Sequence, residues 1–404
     1  MAFFKDRANA LASAWAINSL AYSIIYPFIP IYLHEERNLP MDQVGMIFPL
    51  MGLAIIVTPP FSGVLADRIG RRFLMQFGQT SRAGMFLLLA ALAYWNAPFW
   101  IFAVGLMINA GIGTFFQVGA DAYLADISTP EERTHAYSKI RIGTNIGWAV
   151  GPMLGAFLAR TPFALMFVMT ALLCIFGARY TGWCCPTEPA RNAAARAAEA
   201  EHHISFRTVA ADHRLTRILG CSFLLFLLTS QLYSVMSVYG TSVVGISRDA
   251  LGLIYSLNGF AIITCQMPVT RLLDRFGLLP LRRLVMGAAF YAFGYFTLGF
   301  AGNAWMMAVS VFILTIGEAV VQPALYTQIS CYAPAGGTGR YMAALELVRG
   351  VGYAVGPYLG SVIFQHCSDR PLLMWTLLAL LGVGAGTGFR LLGIGRSGTK
   401  FRTE

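Results

Sequence analysis

The sequence predicts an all-α membrane protein, twelve transmembrane helices arranged as two pseudo-symmetric six-helix bundles. Three observations predict it. Of 404 residues 57% are apolar and only 12% are charged, with a mean hydropathy of +0.62, whereas a soluble domain carries about 25% charged residues. The apolar residues fall in successive runs of about 20, the helix length that crosses a hydrocarbon core about 30 Å thick, without the alternation of a membrane barrel. Finally, the second half of the chain repeats the first.

Taken in order, the expected spans are 10–33, 43–65, 73–95, 99–123, 139–159, 163–183, 214–238, 249–270, 282–302, 304–328, 342–365 and 371–393. Several hold Gly and Pro, which bilayer helices tolerate better than soluble ones. Met1 to Ala8 is too short and polar for a cleavable signal, so span 1 is expected to act as its own insertion signal. Of the 29 Lys and Arg, Arg37, Arg160, Arg248 and Arg370 fall on one side of the membrane, and Arg82 and Arg349 fall within spans. All the others lie in the N-terminus, the even-to-odd loops and the tail or in the adjoining ends of the spans, which the positive-inside bias assigns to the cytoplasm. The expectation is a multi-pass protein of the cell (inner) membrane with both termini cytoplasmic. The net charge of +10 is then topological and does not signal nucleic-acid binding. Seven cysteines show no metal or disulfide spacing, so no metal and no cofactor is expected. Cys174, Cys221 and Cys265 lie in spans, and Cys184 and Cys185 end span 6.

The repeat is direct. At an offset of 207, GMIFPLMGLAIIVTPPFSGVLADRIG (45–70) overlies GLIYSLNGFAIITCQMPVTRLLDRFG (252–277), with 11 of 26 positions identical. At 205, NIGWAVGPMLG (145–155) overlies GVGYAVGPYLG (350–360), with 7 of 11 identical. SIIYPFIPIY (23–32) shares Ser, Tyr and Tyr with SQLYSVMSVY (230–239). The expected domains are an N-terminal bundle (1–183), a polar, Ala-rich cytoplasmic linker (184–213) and a C-terminal bundle with a short tail (214–404). Such duplicated bundles place a substrate site near the midplane, between halves that rock about it.

GVLADRIGRR (63–72) resembles the loop 2–3 signature of the major facilitator superfamily, and Asp274-Arg275-Phe276-Gly277 resembles its degenerate second copy. The pattern Gly147, Gly151, Pro152 and Gly155 resembles the span 5 signature of the twelve-span drug:proton antiporter branch. The resemblance covers nearly the whole chain. It implies a secondary transporter in which Gly63, Asp67, Arg68, Gly70, Arg71, Arg72 and Asp126 form a cytoplasmic latch. One departure stands out: that branch carries an Arg on span 4, linked to proton coupling, four residues before a Gly, and alignment on Gly111 puts Met107 there. Either Arg82 of span 3 has taken that work or coupling is arranged differently.

Charge at membrane depth costs on the order of 2.5–3.5 kcal/mol per residue on insertion scales, so each buried ion needs a reason. The proton-coupling candidates are Glu318, Asp121 and Arg82. Glu318, about 21 Å into span 10 at 1.5 Å per residue, either exchanges the coupling proton or is neutralised within the bundle. Asp121 is either a second ion site or a hydrated carboxylate at a helix end. Arg82 either tunes an acid or holds an anion, or it is a bridge within the first half. Thr114, Gln117 and Asp121 on span 4 and Thr315, Glu318 and Gln322 on span 10 share one helical spacing, two polar stripes expected to line a cavity. Asn18, Tyr22 and Tyr26 recur at i, i+4 and i+8 on span 1, and with Tyr233 of span 7 the tyrosines offer aromatic area with hydroxyls, suited to amphipathic or cationic organic compounds, or anchor helix ends. Glu346, Arg349 and Tyr353 share a face of span 11, as a gate or as a self-compensating pair. The glycines of the 147–155 motif let a neighbouring helix approach while Pro152 bends their own.

No nucleotide-binding loop, metal cluster or catalytic triad appears, which argues against an enzyme or a primary pump. The favoured expectation is a monomeric, proton-coupled exporter of small amphipathic compounds, with protons, a small-molecule substrate and the lipid bilayer as partners. The alternatives are a metabolite, sugar, siderophore or lipid transporter of the same fold, or a membrane sensor.

Overall fold

The computed structural model describes residues 7–128, 130–186, 211–334 and 337–394. Much of the expected linker (187–210), the first six residues and the tail from 395 lie outside the described residues. Among the described residues there is no strand. Twelve long helical elements follow one another: α1 Arg7–Glu36, α2 Met41–Ile69, α3 Arg71–Tyr94, α4 Phe99–Ile127, α5 Pro130–Leu158 and α6 Phe163–Cys184. The second half comprises α7 His213–Val243, α8 Arg248–Arg275, α9 Pro280–Leu298, α10 Ala304–Tyr332, α11 Thr338–Cys367 and α12 Pro371–Ile394.

Each expected span has its helix, and several helices overrun the apolar run. Hydropathy marks only the stretch that lipid accepts, whereas backbone hydrogen bonding continues through polar residues until a Gly or Pro ends it. Nine of the described helices are long and apolar enough to cross a membrane; α3, α5 and α9 fall short of that mark. In α3 the deficit comes from Arg71, Arg72, Gln76, Gln79 and Arg82, and in α9 from Arg282 and Arg283 in a 19-residue helix. Large apolar side chains, among them Phe61, Phe157, Phe260, Phe276 and Trp305, are exposed, as a lipid-facing surface requires and a water-facing one does not tolerate.

The chain forms two compact units: Met1–Arg196 with Tyr233–Phe260, and Ala197–Leu232 with Ala261–Glu404. Tyr233–Phe260 packs with the first unit. The close fit of α8 on α5 is the reason. A Cβ on Gly252 would meet Pro152 O at 2.7 Å, and one on Gly259 would meet the Ala149 backbone at 2.7 Å.

In the first unit α1 packs along α5 and α6, α3 lies against α4 and α6, and α2 lies against α4. In the second unit α7 packs on α11 and α12, and α9 on α10 and α12. Four of these pairings therefore recur six helices later, the structural counterpart of the sequence repeat.

The first and seventh helices also break alike. Pro27 and Pro30 lack an N–H, and α1 passes through a 3₁₀ turn at Tyr26–Phe28 and a π turn at Tyr32–Glu36. In α7 the same two irregularities fall at Ser230–Tyr233 and Tyr239–Val243 without a proline. There Gln231 Nε2 donates to both Leu227 O and Gly356 O at 2.7 Å, so a side-chain amide secures the break and ties it to α11.

Candidate functional site

In the first unit the break in α1 brings Tyr22 and Tyr26 into a stack, ring centroids 4.7 Å apart. Trp148 of α5 meets both edge-on, at 6.0 and 6.2 Å, and Phe48 of α2 meets Tyr26 at 6.2 Å. Trp148 continues to Tyr233 at 4.7 Å, and Tyr233 to Tyr255 at 4.9 Å. Tyr233 donates to Asn258 Oδ1 at 3.0 Å, and Ser237 and Tyr255 share a 2.6 Å hydrogen bond. Tyr22, Tyr26, Trp148 and Tyr233 are only half-buried, so ring surface remains available to an apolar or cationic guest. Tyr26 and Tyr233, equivalent in the repeat, are thus joined through Trp148. Sequence reasoning missed Trp148, Tyr255 and Asn258. The signal for Trp148 was present, because at the 205 offset it aligns with Tyr353.

Asn18 is buried and accepts from Arg82 Nη1 at 3.3 Å. Arg82 itself is 4% exposed. Its guanidinium lies 5.5 Å from the ring centres of Tyr22 and Phe86 and rests over Gly113 of α4, where a Cβ would meet Cζ at 3.4 Å.

The expected polar stripes separate into buried and accessible members. Thr114 is buried and bonds Gly111 O at 2.7 Å and the Ser62 hydroxyl at 3.3 Å. Thr315 is buried and bonds Val311 O at 2.6 Å. Their hydroxyls serve helix packing. Gln117 and Asp121 are exposed, and Glu318 and Gln322 are half-buried.

In the second unit Glu346 accepts from Tyr326 OH at 2.5 Å and pairs with Arg349. Thr229 donates to Tyr353 OH at 3.3 Å, and Tyr353 lies within the electrostatic reach of Glu318. Tyr326, eight residues after Glu318 on the same face of α10, was not foreseen; it links the α10 stripe to the α11 pair.

The 63–72 motif is organised around Arg71. Gly70 has φ +90, a conformation open to Gly at little cost, and turns the chain from α2 into α3. Arg71 Nε then lies 2.8 Å from Asp126 Oδ2 at the end of α4, with both side chains buried. Its Nη2 lies 2.8 Å from the exposed Asp67, and its Nη1 donates to Ala66 O at 3.2 Å. Arg72 donates to Gly182 O of α6, and Arg68 is exposed. Nothing stands within 4 Å of where a Cβ on Gly63 would be. In the second copy Asp274 pairs with Arg283 of α9 at 2.7 Å. Arg283 thereby supplies the cation that Leu278 and Leu279 do not, and Cys331 stands where Asp126 aligns.

The glycine stripe of α5 faces α1. A Cβ on Gly147 would meet Leu20 N at 2.7 Å, and those on Gly151 and Gly155 would collide with Ser23 Oγ and Ile24 O. Ser23 Oγ donates to Gly147 O at 2.9 Å across this contact. Pro152 lies on the other face, toward Gly252.

A further ionic cluster joins the ends of α1, α5 and α8. Arg248 pairs with Glu36 at 2.9 Å and Glu35 at 3.3 Å, and donates to Ala159 O at 3.2 Å. Arg160 grips Asp249 through Nη2 and Nε at 2.6 and 3.1 Å. The Asp249 hydrogen bonds and charge hold the Arg160 guanidinium above its ordinary range.

Helices duplicated in this arrangement, with the first of each set broken and ionisable and aromatic groups at membrane depth, define a multi-pass membrane transporter of small molecules. A family model described as Major Facilitator Superfamily matches residues 11–357, and the chain belongs to that superfamily. Multidrug resistance protein MdtH of Salmonella arizonae is 24% identical over 90% of this chain and 88% of its own length. The uncharacterized MFS-type transporter YttB of Bacillus subtilis is 25% identical, covering 90% of each. Among solved structures, the fold matches a bacterial homolog of the human lysosomal transporter Spinster with a TM-score of 0.77 at 14% identity, over 97% of each chain. It matches the nucleoside transporter NupG at 0.75 and 13% identity, over 96% of this chain and all of the other.

Proposed function

We propose that this chain is a proton-coupled exporter of small amphipathic compounds, working as a monomer by alternating access in the cell (inner) membrane, with both termini cytoplasmic. The observation that carries the reading is the half-buried run of Tyr22, Tyr26, Trp148 and Tyr233, a surface that binds flat apolar or cationic molecules by area rather than by a fixed hydrogen-bond pattern. Its similarity to multidrug resistance proteins named MdtH supports the same reading. Glu318, half-buried in α10 and close to Tyr353, is the group assigned to the coupling proton, with Asp121 as the second acid.

A narrower metabolite transporter is the competing reading, since chains of this fold include nucleoside and peptide transporters and fold alone does not select a substrate. Purified protein in liposomes with an imposed pH gradient tests the proposal. Gradient-driven movement of a lipophilic cation, abolished in Glu318→Gln, is expected. Undiminished movement in that variant refutes the coupling assignment, and movement of one metabolite alone refutes multidrug export.

A further inference from the structure

Arg82 sits in the interior of the first unit, where α1, α3, α4 and α6 meet, and among the described residues no carboxylate pairs with it. Its printed contacts are one neutral amide, Asn18, and the faces of two rings, and its Nε has no hydrogen-bond partner. Other polar groups nearby are also unsatisfied. Gln79, one turn earlier on the same face of α3, is 1% exposed, and neither atom of its amide has a partner. Asn109, one turn from Gly113 on α4, is 2% exposed with its Oδ1 unpartnered. The Oε1 of Gln79 lies beside Gly177 of α6, and Cys174, one turn from it, is within the electrostatic reach of Arg82.

The Gln79 amide loses its hydration on burial and gains no partner, and Arg82 Nε and Asn109 Oδ1 are left in the same state, which is expensive for one group and rare for three. A hydronium or metal cation would add charge of the same sign as Arg82. A small anion corrects the charge and accepts from the donors at once. The amide of Gln79 can present N–H as readily as C=O, because its orientation follows the partner it meets.

We infer that Arg82 and Gln79, one turn apart on one face of α3, together bind one small monovalent anion, either a halide or a carboxylate. The site stands behind Tyr22, whose other neighbours are the rings of the aromatic run, so its occupancy bears on how Tyr22 is held without depending on drug export. An anion there neutralises Arg82, and the ring contacts then act on a compensated guanidinium.

The test is thermal unfolding of purified full-length protein at constant ionic strength, with sodium chloride, bromide or formate titrated against sodium gluconate. A saturable rise in Tm of about 3 °C is expected from a ligand held well above its Kd. Saturation with chloride and bromide assigns a halide, and saturation with formate alone assigns a carboxylate. The rise should be lost in Arg82→Gln and weakened in Gln79→Leu, a variant that removes both unsatisfied amide atoms and keeps the cation. Identical curves for all salts in wild type overturn the inference, as does an undiminished rise in Gln79→Leu should Arg82→Gln fail to fold. Because no substrate is present, a negative result here leaves the export reading untouched, and failed export leaves this site untouched.

Discussion

Replacement of Asp126 by Asn separates the static role of the 63–72 motif from its proposed role as a latch. Arg71 and Asp126 are 6% and 5% exposed and 2.8 Å apart. Removing one partner of a buried pair costs about 3–5 kcal/mol, since it strands the other charge. Arg71 retains Asp67 and the Ala66 carbonyl, which places the cost near the low end, about 3 kcal/mol. For a cooperative unit of this size each kcal/mol lowers Tm by about 2–4 °C, so a fall of about 6–12 °C is expected. Asp67 makes an equally short bond to Arg71 but is 58% exposed, and solvent screening reduces such a pair to about 0–1 kcal/mol. Asp67→Asn should therefore leave Tm nearly unchanged while slowing transport in liposomes, if the carboxylate acts during opening and closing. Equal Tm losses in the two variants would refute the argument from burial. Full transport in Asp67→Asn would reduce the motif to a positive-inside anchor.

Gly155→Ala should destabilise by about 1–3 kcal/mol, the usual cost of overpacking, because the new methyl meets Ile24 O and the Phe28 ring; Gly63→Ala, with open space around it, should be neutral or slightly stabilising in the same unfolding assay. Asp212 caps α7 by accepting from the N–H groups of Arg214 and Leu215 and from Tyr341 OH. Desolvation pushes its carboxyl up, but those bonds and the Arg214 charge outweigh it and hold the group below the ordinary carboxylate range. A depressed folded pKa stabilises above the unfolded value near 4 and loses that stabilisation as pH falls through the folded value. Asp212→Ala should accordingly cost about 1 kcal/mol at neutral pH, with the gap to wild type closing only in strong acid. Arg248→Ala removes the contacts to Glu35, Glu36 and Ala159 and should raise several-fold the rate at which maleimide labels a lone Ser242→Cys. An unchanged rate would show that this cluster does not hold the ends of α1, α5 and α8 together.

The helices and their repeat were legible because lipid imposes a length and a hydrophobicity on every span, and because duplication leaves identical residues at fixed offsets. The 63–72 motif and the glycine stripe were legible as well, since each fixes a local geometry. What escaped was partner choice. Thr114 and Thr315 look like cavity residues by spacing, yet both satisfy their hydroxyls on their own helices. Trp148 lies inside a motif read for its glycines and proline, and only its contacts with Tyr22 and Tyr233 reveal it as the centre of the aromatic run.

By itself, then, the sequence determined that the chain spans a membrane many times, that it is built twice over, and which superfamily it joins. These are properties of composition and local pattern, and hydrophobic periodicity records them position by position. Tertiary structure alone decided which charges are compensated: Arg71 by Asp126, Asp274 by Arg283, and Arg82 by no acid among the described residues. Those outcomes depend on which helix faces meet, and that is set by close packing between residues far apart in the chain. It also decided that α8 docks its glycines on α5, a consequence of matching small residues on two helices a hundred positions apart.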